Sequence, residues 1–258
     1  MDKVYLCSFA DSRMPETLKR VGKQAKESGF FEQVFLYDEH FLSASFKEKF
    51  KDKLILGSRG YGYWVWKPYV ILETLKKIPE NSVLLYMDAG CHINPKGKEQ
   101  FENFVNRVKA HQGILAFQLG DDCVERYWTK GDLLLHFNVI DNTQIIETPQ
   151  IAGGILFMAN NKTNQDFISQ WMSVFDHFHL VDDTPSITPN LDGFIENRHD
   201  QSAFSILAKL RGIDTLSISL MEQSDKNVIW AMRDKHIKLI YRYSFRRFCK
   251  KLIKRIFR

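Results

Sequence analysis

The chain has 258 residues, 44% of them hydrophobic and 26% charged, which is enough to bury a substantial core in one large domain. Its formal net charge of +5 comes from residues 241–258, which carry eight Lys or Arg and no acid and leave the other residues at −3. The body is therefore slightly acidic, and a basic tail alone does not indicate a nucleic-acid-binding protein. The four cysteines show no Cys-x-x-Cys spacing and no apolar stretch has the length of a membrane span, which argues against a structural zinc site, a disulfide framework and an integral membrane protein.

The first forty residues predict a β-α-β unit. Two strand-like runs, residues 3–10 and 31–37, flank a helical stretch at residues 15–28 that ends at Gly29. This order is typical of a Rossmann-like nucleotide-binding half. The first strand is not followed by Gly-x-Gly-x-x-Gly, and the chain has no P-loop motif, which argues against NAD, FAD and P-loop nucleotide binding.

The stretch from Leu54 to Ile93 is the most informative part of the chain. The apolar run Val83–Met87 follows a turn signal and ends abruptly at Asp88, as a buried central strand would. A carboxylate at the C-terminal end of such a strand lies where open α/β sheets bind ligands, although a turn-capping aspartate is the simpler alternative. The preceding segment RGYGYWVWKP, residues 59–68, concentrates aromatic residues, glycines and two cations where a helix opens at Lys67.

Further elements are predicted towards the C-terminus. A strand at residues 150–158 contains Gly153 and Gly154, and glycine inside a strand indicates either a bulge or the close approach of a ligand or another backbone. The other predicted elements are helices at residues 97–111, 126–135, 164–178 and 203–210 and strands at residues 114–119 and 216–221.

Four polar residues, Arg198 to Gln201, lead through Ser202 into the predicted helix at residues 203–210. At a helix start the backbone N–H groups are unpaired and acidic side chains are favoured. Asp200 or Asn197 would serve as a simple N-cap, but four adjacent functional side chains exceed what a cap requires. We therefore expect this segment to take part in binding or catalysis.

The segments RGYGYWVWKP, YMDAGC, IAGGILF and HDQSAFSIL, in this order and spacing, resemble bacterial glycosyltransferases of the GT-A type, which build surface polysaccharides and lipopolysaccharide. The resemblance covers residues 1–230. It implies an α/β, GT-A-like (Rossmann-like) fold with a mixed, mostly parallel sheet flanked by helices. It also implies transfer of a sugar from a nucleotide-sugar donor to a saccharide or lipid-linked acceptor in cell-surface glycan synthesis. The alternative is a non-catalytic protein of the same fold that binds a nucleotide sugar or acts in assembly.

The resemblance also implies roles for individual residues. In that family a D-x-D motif holds a divalent metal against the diphosphate of the donor; here Asp88 matches the first acid and Gly90 stands in place of the second. Mn²⁺ or Mg²⁺ is accordingly expected, with Asp88 and His199 as metal ligands. Asp200 and Gln201 are expected to be catalytic, Asp200 as a base or an acceptor-orienting carboxylate. The donor is expected to contact Arg59, Tyr63, Lys67, Asp88, Gly153 and Gly154.

Residues 241–258 differ in character from residues 1–240, the predicted glycosyltransferase domain. Apolar residues recur at helical spacing from Tyr241 to Phe257, while Lys and Arg fill the opposite face. This pattern describes either a helix lying in an anionic membrane surface or a terminal helix packed against the body. We expect the membrane, because it suits a lipid-linked acceptor. The protein is therefore predicted to be cytoplasmic and bound peripherally to the inner face of the cell membrane, with no nucleic-acid partner.

Overall fold

The computed structural model describes residues 3–235, in which short strands alternate with helices. The strands are β1 (Val4–Phe9), β2 (Gln33–Tyr37), β3 (Val83–Met87), β4 (His92–Ile93), β5 (Ile114–Gln118), β6 (Ile151–Ala159), β7 (Asp214–Ser217) and β8 (Ile229–Trp230). The helices are α1 (Pro15–Ser28), α2 (Ala44–Lys49), the single turn α3 (Gly60–Tyr63), α4 (Trp66–Leu75), α5 (Lys98–His111), α6 (Glu125–Trp128), α7 (Gly131–His136), α8 (Thr143–Ile146), α9 (Lys162–Ser173) and α10 (Asp200–Arg211). Four 3₁₀ segments lie between them, at Pro95–Gly97, Asp121–Cys123, Val174–Leu180 and Ile218–Met221.

One six-stranded sheet in the order β2-β1-β3-β6-β5-β7 forms the centre of the fold. Parallel pairing joins β2 to β1, β1 to β3 and β5 to β7, whereas β6 lies antiparallel between β3 and β5. All strands of this sheet except β6 therefore run in the same direction. The short strands β4 and β8 pair as a separate antiparallel ribbon. This is the α/β architecture that the sequence predicts, a mixed and mostly parallel sheet flanked by helices.

The alternation of side chains along β3 divides the core into two layers. Leu84 and Tyr86 pack on the face covered by α4, α9 and α10, and Val83, Leu85 and Met87 pack on the face covered by α1 and α5. Every side chain of β3 is fully buried. A strand covered on both faces is apolar throughout rather than at alternate positions, which explains the unbroken apolar run in the sequence.

One predicted helix is divided in the structure. The single helix expected at residues 126–135 is broken into α6 and α7 at Thr129 and Lys130. The Lys130 side chain is buried, and its ammonium donates hydrogen bonds to the carbonyls of His179 and Thr184. A buried ammonium needs hydrogen-bond acceptors, and those of Lys130 lie far away in the sequence. The helical pattern of residues 126–135 therefore gives no sign of the break.

Two other predicted elements have different boundaries. The strand expected at residues 216–221 is β7, which starts earlier, at Asp214, and gives way to a 3₁₀ turn at Ile218. The helix expected at residues 164–178 is α-helical only to Ser173 and continues as a 3₁₀ segment. In both places buried apolar residues continue from the strand or α-helix into the 3₁₀ segment. The apolar pattern of the sequence therefore does not mark where one conformation ends and the other begins.

The predicted helix at residues 241–258 and its membrane contact lie outside the described residues. Within residues 3–235, the structure contains no helix that is both long enough and apolar enough to cross a membrane. The last described residues, 231–235, lie over the loop after β3, where the Asp234 backbone N–H donates to the Gly90 carbonyl at 2.9 Å.

Asn160, just after β6, joins the sheet to the turn that follows α4. Its buried side-chain amide donates to the carbonyls of Leu75, Ile78 and Pro79 at distances of 2.9–3.1 Å. We expect Asn160→Ala to lower the free energy of unfolding by about 2–4 kcal/mol, because these carbonyls lose their donor. Chemical denaturation measures the change. The exposed Lys162→Ala is the control, expected to change stability by less than about 0.5 kcal/mol; equal stability of the two variants would contradict the assignment.

Candidate active site

A buried lysine lies in the first turn of α4. The Lys67 ammonium is 2.6 Å from Asp200 Oδ2 and 3.3 Å from Asp88 Oδ1, and only 4% of the lysine side chain is exposed. Burial by itself would lower the pKa of Lys67, but the two carboxylates outweigh it and raise the pKa above its ordinary value. Lys67 is therefore a fixed positive charge that draws the end of β3 and the start of α10 together.

The direction of α4 is set by an unusual turn. All five residues from 60 to 64 have positive φ angles, between 50° and 83°, so α3 is left-handed. Three of the five are not glycine, and left-handed geometry costs such residues roughly 1–2 kcal/mol each. The Trp66 indole N–H donates to the Gly60 carbonyl at 3.0 Å and helps to hold the turn. Strain of this kind persists only where surrounding contacts maintain it, and it is concentrated at functional sites.

Asp88 lies directly after β3, at the C-terminal edge of the parallel strands. Its Oδ1 accepts a hydrogen bond from the Tyr86 hydroxyl at 2.7 Å, and 40% of its side chain is exposed. Its backbone N–H donates to the Gly154 carbonyl at 2.8 Å. Asp88 is thus anchored on the protein side and open on the other.

The double glycine of β6 makes room for this carboxylate. A Cβ on Gly154 would lie 2.8 Å from Asp88 Oδ2, whereas one on Gly153 would lie 3.8 Å from Asp200 Oδ2. The pairing of β5 with β6 also shifts register nearby. Both alternatives for a glycine pair in a strand therefore hold here: an irregular strand and the close approach of another group.

Asp200 begins α10 and is buried, with 6% of its side chain exposed. The Trp171 indole N–H donates to its carbonyl at 3.0 Å. Its Oδ2 meets the Lys67 ammonium outside good hydrogen-bond geometry, so charge attraction holds this pair. Burial raises the pKa of Asp200 to about 6, and Lys67 offsets only part of that rise.

A buried polar network that sequence reasoning missed lies behind the start of α10. The Gln201 amide donates to Gln150 Oε1 at 2.8 Å, and the Gln150 amide donates to Glu125 Oε2 at 3.0 Å. Ser205 donates to the fully buried Glu125, and the Lys209 ammonium lies 3.1 Å from it. These contacts fix Gln201 relative to β6. Neither Glu125 nor Gln150 stands in a recognisable motif, so no sequence signal identifies them.

The glycine that departs from the D-x-D pattern has a steric explanation. A Cβ on Gly90 would lie 3.2 Å from the Cα of Arg233, whose backbone crosses the loop after β3. Arg20 holds this crossing in place, because its guanidinium donates to the Ala89 carbonyl at 2.6 Å and pairs with Asp234 at 2.6 Å. A second acid at position 90 would press against this backbone.

Three other predicted site residues meet in a separate group of contacts. The Arg59 guanidinium lies 3.2 Å from both Asp183 and Glu196, and the Tyr63 hydroxyl donates to Asp183 at 3.1 Å. The buried His199 ring lies 4.9 Å from the Tyr63 ring. The predicted residues thus form two groups, one of Lys67, Asp88, Gly153, Gly154 and Asp200 with Gln201 beside it, and one of Arg59, Tyr63 and His199.

The two predicted metal ligands, Asp88 and His199, belong to different groups. His199 Nδ1 lies 2.6 Å from the Val181 carbonyl, and Nε2 lies 3.6 Å from Asp183. Among residues 3–235, no group of three or more His, Cys, Asp or Glu side chains could hold a metal ion. The half-exposed Asp88 nevertheless fits as a single carboxylate ligand of a divalent cation, because Mg²⁺ commonly takes its remaining ligands from substrate phosphates and water.

No protein-family model matches the chain, and no curated protein matches it. The similar solved structures include an active-site mutant of LgtC, with 11% identity over 95% of this chain and 94% of that one and a TM-score of 0.49. They also include a glycosyltransferase involved in the glycosylation of the major capsid of PBCV-1 (13% identity, 84% and 82% coverage, TM-score 0.46) and mouse xyloside xylosyltransferase 1 (11% identity, 84% and 84% coverage, TM-score 0.44). These structures are glycosyltransferases, but similarity at this level carries no argument about the site of this chain.

The pH dependence of stability tests the environment of Asp200. Because its pKa is raised to about 6, the folded protein binds this proton more tightly than the unfolded chain does. The stabilisation of the folded state by protonated Asp200 is therefore complete below the pKa of this group in the unfolded chain, about 4. It is lost as the pH rises through the pKa in the folded protein. We expect the unfolding free energy of the wild type, relative to Asp200→Asn, to fall over this interval and then to level off. Denaturant titrations at a series of pH values measure it; relative stability that increases with pH would show that the ion pair outweighs burial.

Proposed function

We propose that the protein is a glycosyltransferase that moves a sugar from a nucleotide-sugar donor to a saccharide or lipid-linked acceptor. The observation that carries the proposal is the group formed by Lys67, Asp88 and Asp200 at the C-terminal edge of a central parallel strand. Open α/β sheets bind ligands at this edge, and β1, β2 and β3 all end there. Asp88, with 40% of its side chain exposed, is the member of the group that faces a ligand.

The chemistry of glycosyl transfer matches this arrangement. As the bond between sugar and diphosphate breaks, positive charge develops on the sugar ring. A carboxylate fixed beside the ring stabilises that charge, and Asp88 is held in place by the Tyr86 hydroxyl, the Lys67 ammonium and the Gly154 carbonyl. A charge that is already oriented does not need to reorganise as the reaction proceeds.

We assign Asp200 a positioning role. Its carboxylate is buried against the Lys67 ammonium, so in this conformation it does not reach an acceptor hydroxyl. It holds Lys67, which in turn holds Asp88. Gln201, the next residue, is only partly buried and is oriented by Gln150, which leaves it available for contact with substrate.

The finer parts of the proposal depend on other observations. A divalent cation held by Asp88 and the diphosphate would neutralise the leaving group; Asp88 would then act as its ligand, and would face the charge on the sugar ring only in cation-independent transfer. The motif resemblance supports an acceptor that belongs to a cell-surface glycan. The basic residues of 241–258 complement anionic lipid, which supports attachment to the inner face of the cell membrane.

Turnover distinguishes this proposal from a non-catalytic nucleotide-sugar-binding protein. The full chain is incubated with UDP- and GDP-sugars, with Mn²⁺ or with EDTA, and nucleotide release and melting temperature are measured. We expect one donor class to raise the melting temperature and to be turned over. Asp88→Asn should reduce turnover roughly 100-fold or more, because the developing charge loses its fixed partner, while circular dichroism should show a folded protein, since Asp200 still pairs with Lys67. Donor binding without release under every condition would favour the non-catalytic alternative.

The two adjacent glycines of β6 supply a matched pair of variants. A methyl group at Gly154 would lie 2.8 Å from Asp88 Oδ2, whereas one at Gly153 would make only ordinary contacts, the nearest at 3.7 Å from the Cα of Gln201. We expect Gly154→Ala to lower turnover by about tenfold or more, because small displacements of a catalytic group are costly, and Gly153→Ala to lower it less. Initial-rate measurements compare the two. A greater loss in Gly153→Ala would place the reacting atoms away from Asp88.

A further inference from the structure

The segment after β8, residues 231–235, is fastened across the loop that follows β3. The Asp234 N–H donates to the Gly90 carbonyl at 2.9 Å. The Asp234 carboxylate lies 2.6 Å from the Arg20 guanidinium, which also donates to the Asp234 carbonyl at 3.2 Å. Arg233, the residue before this anchor, is therefore held directly over the loop.

The backbone of Arg233 has a left-handed conformation. Its φ angle is 54°, which is unfavourable for a residue other than glycine and persists only where surrounding contacts maintain it. The Arg233 Cα would lie 3.2 Å from a Cβ on Gly90, so the crossing is this close because position 90 has no side chain. The two residues together place an arginine at the edge of the sheet where a D-x-D motif would have its second acid.

The Arg233 side chain is exposed, and within residues 3–235 it forms no ion pair. The acid next to it, Asp234, pairs with Arg20 instead. The Lys67 ammonium is buried and is held by two carboxylates. Of the cations that surround this loop in the described part of the chain, Arg233 is therefore the one whose charge is available to a ligand.

The Arg233 charge also acts on the loop itself. Burial and the Asp88 charge raise the pKa of the Cys91 thiol, and the charges of Lys67, Arg20 and Arg233 oppose that rise. The Arg233 guanidinium thus lies on the same side of the sheet edge as Asp88. A long side chain that starts over position 90 extends to a group bound beside Asp88, only two residues away.

The charges of the proposed catalytic group create a need for such a cation. Two carboxylates and the Lys67 ammonium leave one net negative charge, which repels a diphosphate that approaches Asp88. A second acid at position 90 would help to hold a divalent cation, but this chain has Gly90 there. Arg233 brings a fixed positive charge to the same place.

We propose that Arg233 binds the diphosphate of the nucleotide-sugar donor through its guanidinium. The assignment rests on the proposed function, since it presumes that donor class. A guanidinium stays charged at any pH at which the protein is folded and pairs with phosphate oxygens through two parallel N–H groups.

The charge of Arg233 acts when the donor reacts. As the bond between the sugar and the diphosphate breaks, its electron pair stays on the diphosphate oxygen. The acceptor hydroxyl oxygen bonds to the sugar, and its proton passes to solvent. The guanidinium neutralises the negative charge that the diphosphate gains.

Titration calorimetry on the full chain tests the proposal. UDP, GDP, CDP, ADP and dTDP, and the nucleosides that lack the diphosphate, are titrated in EDTA and again with Mg²⁺. We expect one diphosphate to bind in EDTA. Arg233→Gln should weaken its binding about tenfold or more and leave the binding of the matching nucleoside unchanged, because only the diphosphate loses a charged donor. Arg233→Lys, which keeps the charge and loses the two-pronged geometry, should lie between the two.

Arg211→Gln is the matched control. Arg211 is an exposed arginine in the last turn of α10, at the opposite end of that helix from Asp200, and its guanidinium makes one long hydrogen bond, 3.4 Å, to the Thr163 carbonyl. Its substitution removes the same charge and should leave diphosphate binding as in the wild type. An equal loss in both variants would show that net charge alone, and no subsite, attracts the diphosphate.

Other outcomes separate this proposal from the proposed function. Diphosphate binding that depends on Arg233 without turnover of any nucleotide sugar would keep the subsite and remove the transferase. Turnover that Arg233→Gln leaves at the wild-type rate would do the reverse. Binding of no diphosphate, or binding that requires Mg²⁺ and is unchanged in Arg233→Gln, would overturn the role of Arg233.

Discussion

The arrangement of the site depends on a lysine ammonium buried between two carboxylates. A charge removed from water is tolerated only when it is paired, and the Lys67 ammonium has a carboxylate on each side. The partners of Lys67 come from the end of β3 and the start of α10, so α4 is held against both elements. A left-handed turn comes directly before α4, and the glycine at position 154 leaves space for the Asp88 carboxylate.

The two clusters of the site are supplied by the same two segments of chain. Residues 59–67 contribute Arg59 and Tyr63 to one cluster and Lys67 to the other, and residues 196–201 contribute His199 to the first and Asp200 to the second. Both segments carry residues with positive φ, a conformation that surrounding contacts must maintain.

In the loop after β3, a packed backbone segment lies where the second acid of a D-x-D motif would stand. Where a D-x-D pattern would have its second acid, this chain has Gly90, and the backbone of Arg233 passes over it. The crossing is held by Arg20, which joins Ala89 to Asp234. The sheet edge consequently presents one exposed carboxylate, Asp88, backed by an ammonium, and any cation bound there depends on the substrate for most of its ligands.

The contacts of the site show which parts of it could be inferred in advance. Asp88 and the polar segment at the start of α10 are recognisable because each interrupts an apolar run, and that signal is local. Glu125 and Gln150 could not be recognised, because what brings them to Gln201 is the packing of α6 against β6 and α10. The break between α6 and α7 was missed for the same reason, since it serves a buried lysine whose acceptors lie about fifty residues away.

The sequence by itself determined the order of the six strands of the main sheet and of the longer helices, the central position of β3 and the placement of a carboxylate at its end. These features depend on the periodicity of apolar residues and on the glycines and polar residues that end each apolar run. All of these signals are local in the sequence. Only the tertiary structure decided which charges pair: Lys67 with Asp88 and Asp200, and Arg59 with acids 124 and 137 residues away. The physical reason is that an ion pair depends on distance in space and on burial, and both are set by how elements far apart in the chain cross one another.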